Sequence, residues 1–295
     1  MLSEQMPDRD RDSRLPSPDQ PEECWTAVDS LRMRYLRLGA GSPLVLLHGL
    51  LGYSFSWRFN ISAFAQRRTV YAVDMPGAGL SERSKTLDCS FRGCALRLLR
   101  FADNLGLGPF DLLATSHGGA VAILAAAIAN QGGSRRIRRL ILVAPVNPWS
   151  AHGRELAPFL SGAAIAHFLR WCMPRLAFAN GTVVRRLYGD PRRISPGTIE
   201  GYSKPYTRSG SGDYVFNILR TWNHDLDDLE SSLPQIADLP VLLIWGSRDA
   251  AVDPASGRIL SRYLHNCELI QFPGVGHLPY EEVPEQFNAE VIKVL

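Results

Sequence analysis

The chain has 295 residues, 45% of them apolar and 21% charged, with a formal net charge of +3. That length suits one large α/β domain, or a core domain carrying an insertion, and the apolar fraction is that of a soluble globular protein. A charge so small for the length implies no polyanionic partner.

Residues 1–24 mix both charge signs with several prolines and hold no apolar core. They read as a disordered lead-in rather than a signal peptide, and the acids argue against a transit peptide. The five cysteines, Cys24, Cys89, Cys94, Cys172 and Cys267, are odd in number and irregular in spacing. That favours a reducing compartment over a disulfide framework. The longest apolar stretch, AVAILAAAIA, is too short to span a bilayer. The expectation is a cytoplasmic protein with no transmembrane segment.

The alternation in SLRMRYLRLG predicts an antiparallel strand at the start. PLVLLHG, TVYAVDMPG, FDLLATS, RLILVAP and PVLLIWG then each carry a continuous apolar run, as strands covered on both faces do. Helices are expected over 55–66, 88–105, 117–130, 254–265 and 282–294. Strand and helix in alternation predict an α/β fold with a mostly parallel, doubly wound sheet. The rhythm breaks after Asn147. From Pro148 to Gln235 helix-like pieces (ELAPFLSGAAIAHFLRWCM, NGTVVRRLYG, GDYVFNILRTW) are separated by Pro and Gly clusters. This predicts a helical insertion, 148–235, between core parts 25–147 and 236–295.

In open parallel sheets, functional groups gather at the carboxyl edge of the strands. Every polar cluster of the regular part follows a strand: HGLLG, DMPGAGLS, ATSHGG, WGSRDAAVDP and GVGHLPY. A strand turning sharply into a helix through Ser116 must hold that serine in a strained conformation, with small residues, Ala114 and Gly118, two places to either side. The hydroxyl would then stand above a helix N-terminus, the arrangement called the nucleophile elbow. The alternative reading of Ser116 is a residue filling a tight turn. The order Ser116, Asp249, His277 is that of nucleophile, acid and base. Asp249 is placed to hold the imidazole of His277 in one tautomer, while Asp253, just before Pro254, reads as a helix N-cap. The backbone N–H groups of Leu50 and His117 are candidates for an oxyanion hole. His48 is expected to buttress the loop. The imidazole of His117 either plays no chemical part or helps line the pocket.

Together HGLLG, DMPGAGLSER, ATSHGGA, WGSRD and GVGHLPYEE resemble the α/β-hydrolase family, over about 25–147 and 236–295. The resemblance implies a helical cap over the site, matching 148–235, and a departure from the usual pattern at Ala114, where Gly is common. It implies no cofactor and no metal, and no cluster with metal-ligand spacing appears. Relatives with an Asp nucleophile are disfavoured by Ser116. Carbon–carbon bond hydrolases are disfavoured by Thr115 and Leu278, where that branch usually has Asn and Trp. The broadest fit is a serine hydrolase of carboxylic esters or related acyl substrates, with an apolar small-molecule substrate. A carbon–carbon hydrolase, a cofactor-free haloperoxidase or a non-catalytic ligand-binding member are the alternatives. Trp149, Trp171 and Trp222 are candidates for the acyl pocket as well as for core. The basic runs SRRIRR, Arg185–Arg186 and Arg192–Arg193 read as solvated faces rather than a nucleic-acid surface.

Overall fold

The continuous apolar runs become strands buried on both faces. The computed structural model describes residues 20–150 and 180–295, together with Arg154 and Phe168. Its sheet begins with β1 (Glu22–Val28), β2 (Leu31–Leu38), β3 (Pro43–Leu47) and β4 (Thr69–Val73). It continues with β5 (Phe110–Thr115), β6 (Ile137–Val143), β7 (Val241–Gly246) and β8 (Cys267–Phe272). The spatial order is β1-β2-β4-β3-β5-β6-β7-β8. β2 is antiparallel to both β1 and β4, and every other pairing is parallel. Successive side chains of a strand face opposite ways. Val45 and Leu47 of β3 accordingly join one core with Leu112 and Ala114 of β5, while Leu44, Leu46 and Leu113 join the other.

Helices cover both faces, so the fold is α/β and doubly wound. The first three are α1 (Ile61–Ala65), α2 (Phe91–Asn104) and α3 (His117–Ala129). After β6 come α4 (Asn180–Leu187), α5 (Thr198–Ser203), α6 (Ser211–Leu219) and α7 (Trp222–Ser232). The last are α8 (Pro254–Leu260), α9 (Pro279–Glu282) and α10 (Pro284–Val294). α2, α3, α7 and α8 contribute to one core, α1 and α10 to the other. α2 begins where the Ser90 hydroxyl accepts the Gly93 amide at 3.0 Å, which satisfies one of the free amides of the first turn. Among the described residues no helix is long and apolar enough to cross a membrane. Cys24, Cys89, Cys94 and Cys267 are free thiols.

Three element boundaries differ from the expectation. β1 starts at Glu22, three residues inside the expected lead-in of 1–24, and pairs with β2 through the two-residue turn Asp29–Ser30. Both turn residues have positive φ, 51° and 65°, as a tight hairpin of this twist demands. Asp29 is further fixed by ion pairs to Arg97 and Arg100, at 3.3 and 2.5 Å. The helix expected over 55–66 divides into a 3₁₀ turn, Ser54–Trp57, and α1. Asn60 lies at the break, its amide donating to Tyr280 O and Asn288 Oδ1 at 3.0 and 2.8 Å. The helix over 254–265 likewise ends at Leu260 and continues as a 3₁₀ turn.

One helix of the expected insertion packs on the core. Trp222, Leu226 and Leu229 of α7 are buried in the same core as Ala120, Ile123 and Leu124 of α3. Arg92 of α2 holds Asp228 of α7 through two hydrogen bonds of 2.9 Å. α7, which falls inside the expected insertion of 148–235, therefore packs against the core helices α2 and α3. The limit at Gln235 marks where buried strands resume, and a helix packed on helices carries no such mark. Most of ELAPFLSGAAIAHFLRWCM, with Trp171 and Cys172, lies outside the described residues.

Candidate active site

β3, β5, β7 and β8 run parallel, so the residues following them meet at one edge of the sheet. Ser116, between β5 and α3, has φ 53° and ψ −125°, a conformation that costs a non-glycine residue about 1–3 kcal/mol. The neighbourhood imposes it. Ser116 N donates to Val143 O at 2.9 Å, and Ser116 O accepts the amides of Gly119 and Val146 at 2.9 and 3.0 Å. Position 118 must be glycine, because a Cβ there would lie 2.2 Å from His48 O. Ala114 is fully buried, so the extra methyl is accommodated where glycine is common.

Two amides flank the serine. His117 is the first residue of α3, whose opening N–H groups have no partner within the helix. Among the described residues nothing accepts a hydrogen bond from the amide of His117 or of Leu50. Leu50 belongs to a loop closed by Gly52 N donating to Gly49 O at 3.0 Å. His48 pins this loop, as expected. Its Nδ1–H donates to Gly49 O at 2.8 Å, and its Nε2 accepts the Met75 amide at 3.1 Å. Both nitrogens are thereby committed in the neutral ring, and burial also lowers its pKa.

His277 Nδ1–H donates to Asp249 Oδ2 at 2.7 Å, and both side chains are buried. Asp249 Oδ1 accepts the amides of Ala251 and Val252 at 2.8 and 2.9 Å. The carboxylate is thus held from one side and presented to the imidazole on the other, leaving Nε2 as the free acceptor. Asp253 does something else: its Oδ1 accepts the Ala255 amide at 2.8 Å and caps α8.

Ser116 and His277 line one cavity. Leu50, Val183, Leu187 and Tyr206 are among its other walls, so the segment after β6 supplies part of the lining. Trp149 and Trp222 do not line it. Trp149 stacks on Tyr263 with ring centres 4.7 Å apart, and Trp222 packs in the core with its ring 5.4 Å from that of Phe91. The His117 imidazole is not in the lining either. It lies 5.1 Å from the Phe91 ring and 6.3 Å from Trp222, and burial, aided by His48, pushes its pKa down to about 3.

Two residues of the site went unnoticed in the sequence. Glu282 is fully buried, and its Oε2 accepts the amides of Gly276 and Gly189 at 2.8 and 2.9 Å while Oε1 accepts that of Asp190 at 2.9 Å. It therefore ties the loop carrying His277 to the chain leaving α4. His277 N adds a bond to Leu187 O at 2.7 Å. Glu281 accepts from Arg58 and Tyr188, both at 2.8 Å, and from Tyr202. The only local signal was a pair of acids before a proline, which reads equally well as an ordinary helix start.

Among the described residues no cluster of His, Cys, Asp and Glu is arranged to hold a metal ion. The basic runs are partly neutralised at home: Arg136 pairs with Asp103, Arg138 and Arg139 face Asp111, and Arg192 pairs with Asp190.

Residues 44–290 match the model of the alpha/beta hydrolase family. The dihydrolipoyllysine-residue acetyltransferase component of the acetoin cleaving system of Pseudomonas putida is 31% identical over 291 residues, covering 95% of this chain and 70% of that protein. The pimeloyl-[acyl-carrier protein] methyl ester esterase of Nitrosomonas europaea is 28% identical over 270 residues, 84% of this chain and 94% of its own. Among solved structures, Cfl2 from Burkholderia cenocepacia superposes with a TM-score of 0.80 at 20% identity, covering 95% of this chain and 97% of that one.

Proposed function

The chain belongs to the alpha/beta hydrolase family, and we propose that it is a serine hydrolase cleaving a carboxylic ester or related acyl substrate through an acyl-enzyme on Ser116. One observation carries the reading. A serine in a strained strand-to-helix turn shares a cavity with a histidine whose Nδ1–H is held by a buried carboxylate.

The steps follow from that arrangement. His277 Nε2 takes the Ser116 proton as Oγ attacks the acyl carbonyl. The amides of Leu50 and His117 receive the oxyanion, each such donor being worth about 3 kcal/mol in the transition state. The leaving alcohol departs with the proton from His277, and water activated by the same imidazole then releases the acid. The insertion acts as a cap: Val183, Val184 and Leu187 of α4 and the rings of Tyr202 and Tyr206 bound the acyl cavity. No Lys or Arg is among the described residues lining it, so the portion of substrate it encloses is apolar and uncharged. Unpaired thiols at Cys24, Cys89, Cys94 and Cys267 suit a reducing compartment such as the cytoplasm.

The test is a series of p-nitrophenyl esters of graded chain length, measured with the wild type and Ser116→Ala. Multiple turnover that falls by about 10⁴-fold or more in the variant supports the reading. Saturable binding without turnover in the wild type would instead make the protein a receptor.

A further inference from the structure

Gly49, Leu50, Leu51 and Gly52 form a turn closed by Gly52 N donating to Gly49 O at 3.0 Å. Its third residue has a positive φ of 64°, a conformation that turns of this kind usually give to glycine. Here it is a leucine, so the backbone is strained and needs support from outside the turn. Two side chains supply it. His48 Nδ1–H donates to Gly49 O at 2.8 Å, and the Tyr206 hydroxyl donates to Leu51 O.

The effect passes through two peptide planes. A trans peptide is flat, with its C=O and N–H on opposite edges. The plane between Leu51 and Gly52 is held at both edges, by Tyr206 at the carbonyl and by Gly49 O at the N–H. The plane between Gly49 and Leu50 receives Gly52 N and His48 Nδ1 at its carbonyl, and its other edge is the Leu50 N–H. Tyr206 therefore acts on the direction of the Leu50 amide through one intervening hydrogen bond.

Tyr206 is itself well fixed. It is buried in the 3₁₀ turn Lys204–Thr207, between β6 and β7. Arg83 Nη2 ties that turn to the loop after β4, donating to Pro205 O at 3.2 Å and to Gly79 O at 2.9 Å. Burial, then the charge of Tyr53, push the phenol pKa up, so the hydroxyl keeps the proton it donates.

We propose that Tyr206 is a positioning residue: its hydroxyl, reaching in from the inserted segment, holds the strained turn 49–52 in the form that aims the Leu50 N–H at the oxyanion. The inserted segment then helps to set the catalytic geometry as well as walling the cavity. The oxyanion role of that amide rests on the acyl-hydrolase reading; the tether does not.

Tyr206→Phe keeps the ring and removes only the tether. With p-nitrophenyl esters its kcat should fall about tenfold or more while KM stays within about threefold. The loss should be smaller than the roughly 10²–10³-fold expected for a whole oxyanion donor, because His48 still holds Gly49 O. Leu51→Gly provides the rescue, since glycine adopts φ 64° without strain. In that background, adding Tyr206→Phe should cost less than about threefold in kcat. An equal loss in both backgrounds would mean that Tyr206 acts on the substrate directly, and would overturn the proposal. So would wild-type kcat in Tyr206→Phe. Hydrogen exchange at the Gly52 amide, followed by NMR without substrate, separates the tether from the chemistry. It should quicken about tenfold in Tyr206→Phe, and far less when Leu51→Gly is already present. If the wild-type protein hydrolyses no ester, that exchange pattern still upholds the tether, and only the acyl-hydrolase reading fails. Unchanged exchange in Tyr206→Phe overturns the tether whatever the kinetics.

Discussion

Replacing Asp249 by asparagine should leave a folded protein that has almost stopped turning over, because its two carboxylate oxygens hold different partners. Oδ2 faces His277 Nδ1 at 2.7 Å, and Oδ1 accepts the Ala251 and Val252 amides at 2.8 and 2.9 Å. An asparagine has one oxygen. If that oxygen stays on the two backbone amides, its NH₂ group points at Nδ1, and the imidazole must carry its proton on Nε2. That tautomer cannot accept the Ser116 proton. If the side chain turns over, its NH₂ group faces two N–H donors, and two hydrogen bonds worth about 1 kcal/mol each are lost. The first arrangement, with the wrong tautomer, is therefore favoured. Losing the orienting acid costs on the order of 10⁴-fold in kcat, or about 5.5 kcal/mol of barrier. The assay is steady-state ester hydrolysis, with kcat and KM resolved, on protein checked by circular dichroism. Asp253→Ala is the control, since it removes the cap at Ala255 N, costs about 1 kcal/mol of stability and leaves kcat in place. An Asp249→Asn enzyme within tenfold of wild-type kcat would refute the reasoning.

Ser116→Gly should abolish activity yet raise stability by roughly 1–2 kcal/mol, because glycine tolerates φ 53° and ψ −125° at no steric cost; a lower melting temperature would contradict the assigned strain. Glu282→Gln should lower both stability, by about 1–3 kcal/mol, and kcat. Its NH₂ group must face an amide of Gly276, Gly189 or Asp190, and Gly276 adjoins His277. Wild-type melting and kcat in that variant would show that the tie to the histidine loop is idle. Asp225, in α7, has its pKa raised to about 6, chiefly by burial, against an ordinary value of 3.8. The folded form then holds more protons between those values, so stability falls as pH rises through that window and levels off above it. Asp225→Asn should flatten this dependence and melt higher than wild type at pH 7–8 in urea or thermal scans; an unchanged slope would remove Asp225 as its source.

The fold was legible where a short segment carries its own environment. PLVLLHG and PVLLIWG announce strands covered on both faces because no polar residue interrupts them. The sheet edge was readable too, since Ser116 and Asp249 each stand just beyond such a run, while His277 follows β8, whose CELIQF is broken by Glu268 and Gln271. What escaped depends on contacts between distant parts of the chain. The β1–β2 turn is Asp29–Ser30, with no glycine to mark its positive φ, and arginines of α2 hold it. α7 looks polar in WNHDLDDLESS, and Leu226 and Leu229 are assigned to the core by α3 rather than by any local pattern. Glu281 and Glu282 look like surface acids, until residues some 80 to 90 positions earlier surround them with Tyr188, Tyr202 and the Gly189 and Asp190 amides.

The central claim is that Ser116 becomes acylated, and trapping the modified residue tests it most directly. The wild-type protein is incubated with a p-nitrophenyl alkylphosphonate, activity is followed to completion, and the adduct is located by peptide mass mapping. The account predicts one phosphonyl group per chain, on Ser116, with loss of activity in proportion to labelling and no adduct in Ser116→Ala. An adduct on another residue that tracks the loss of activity, or an active enzyme that takes up no phosphonate, would contradict it.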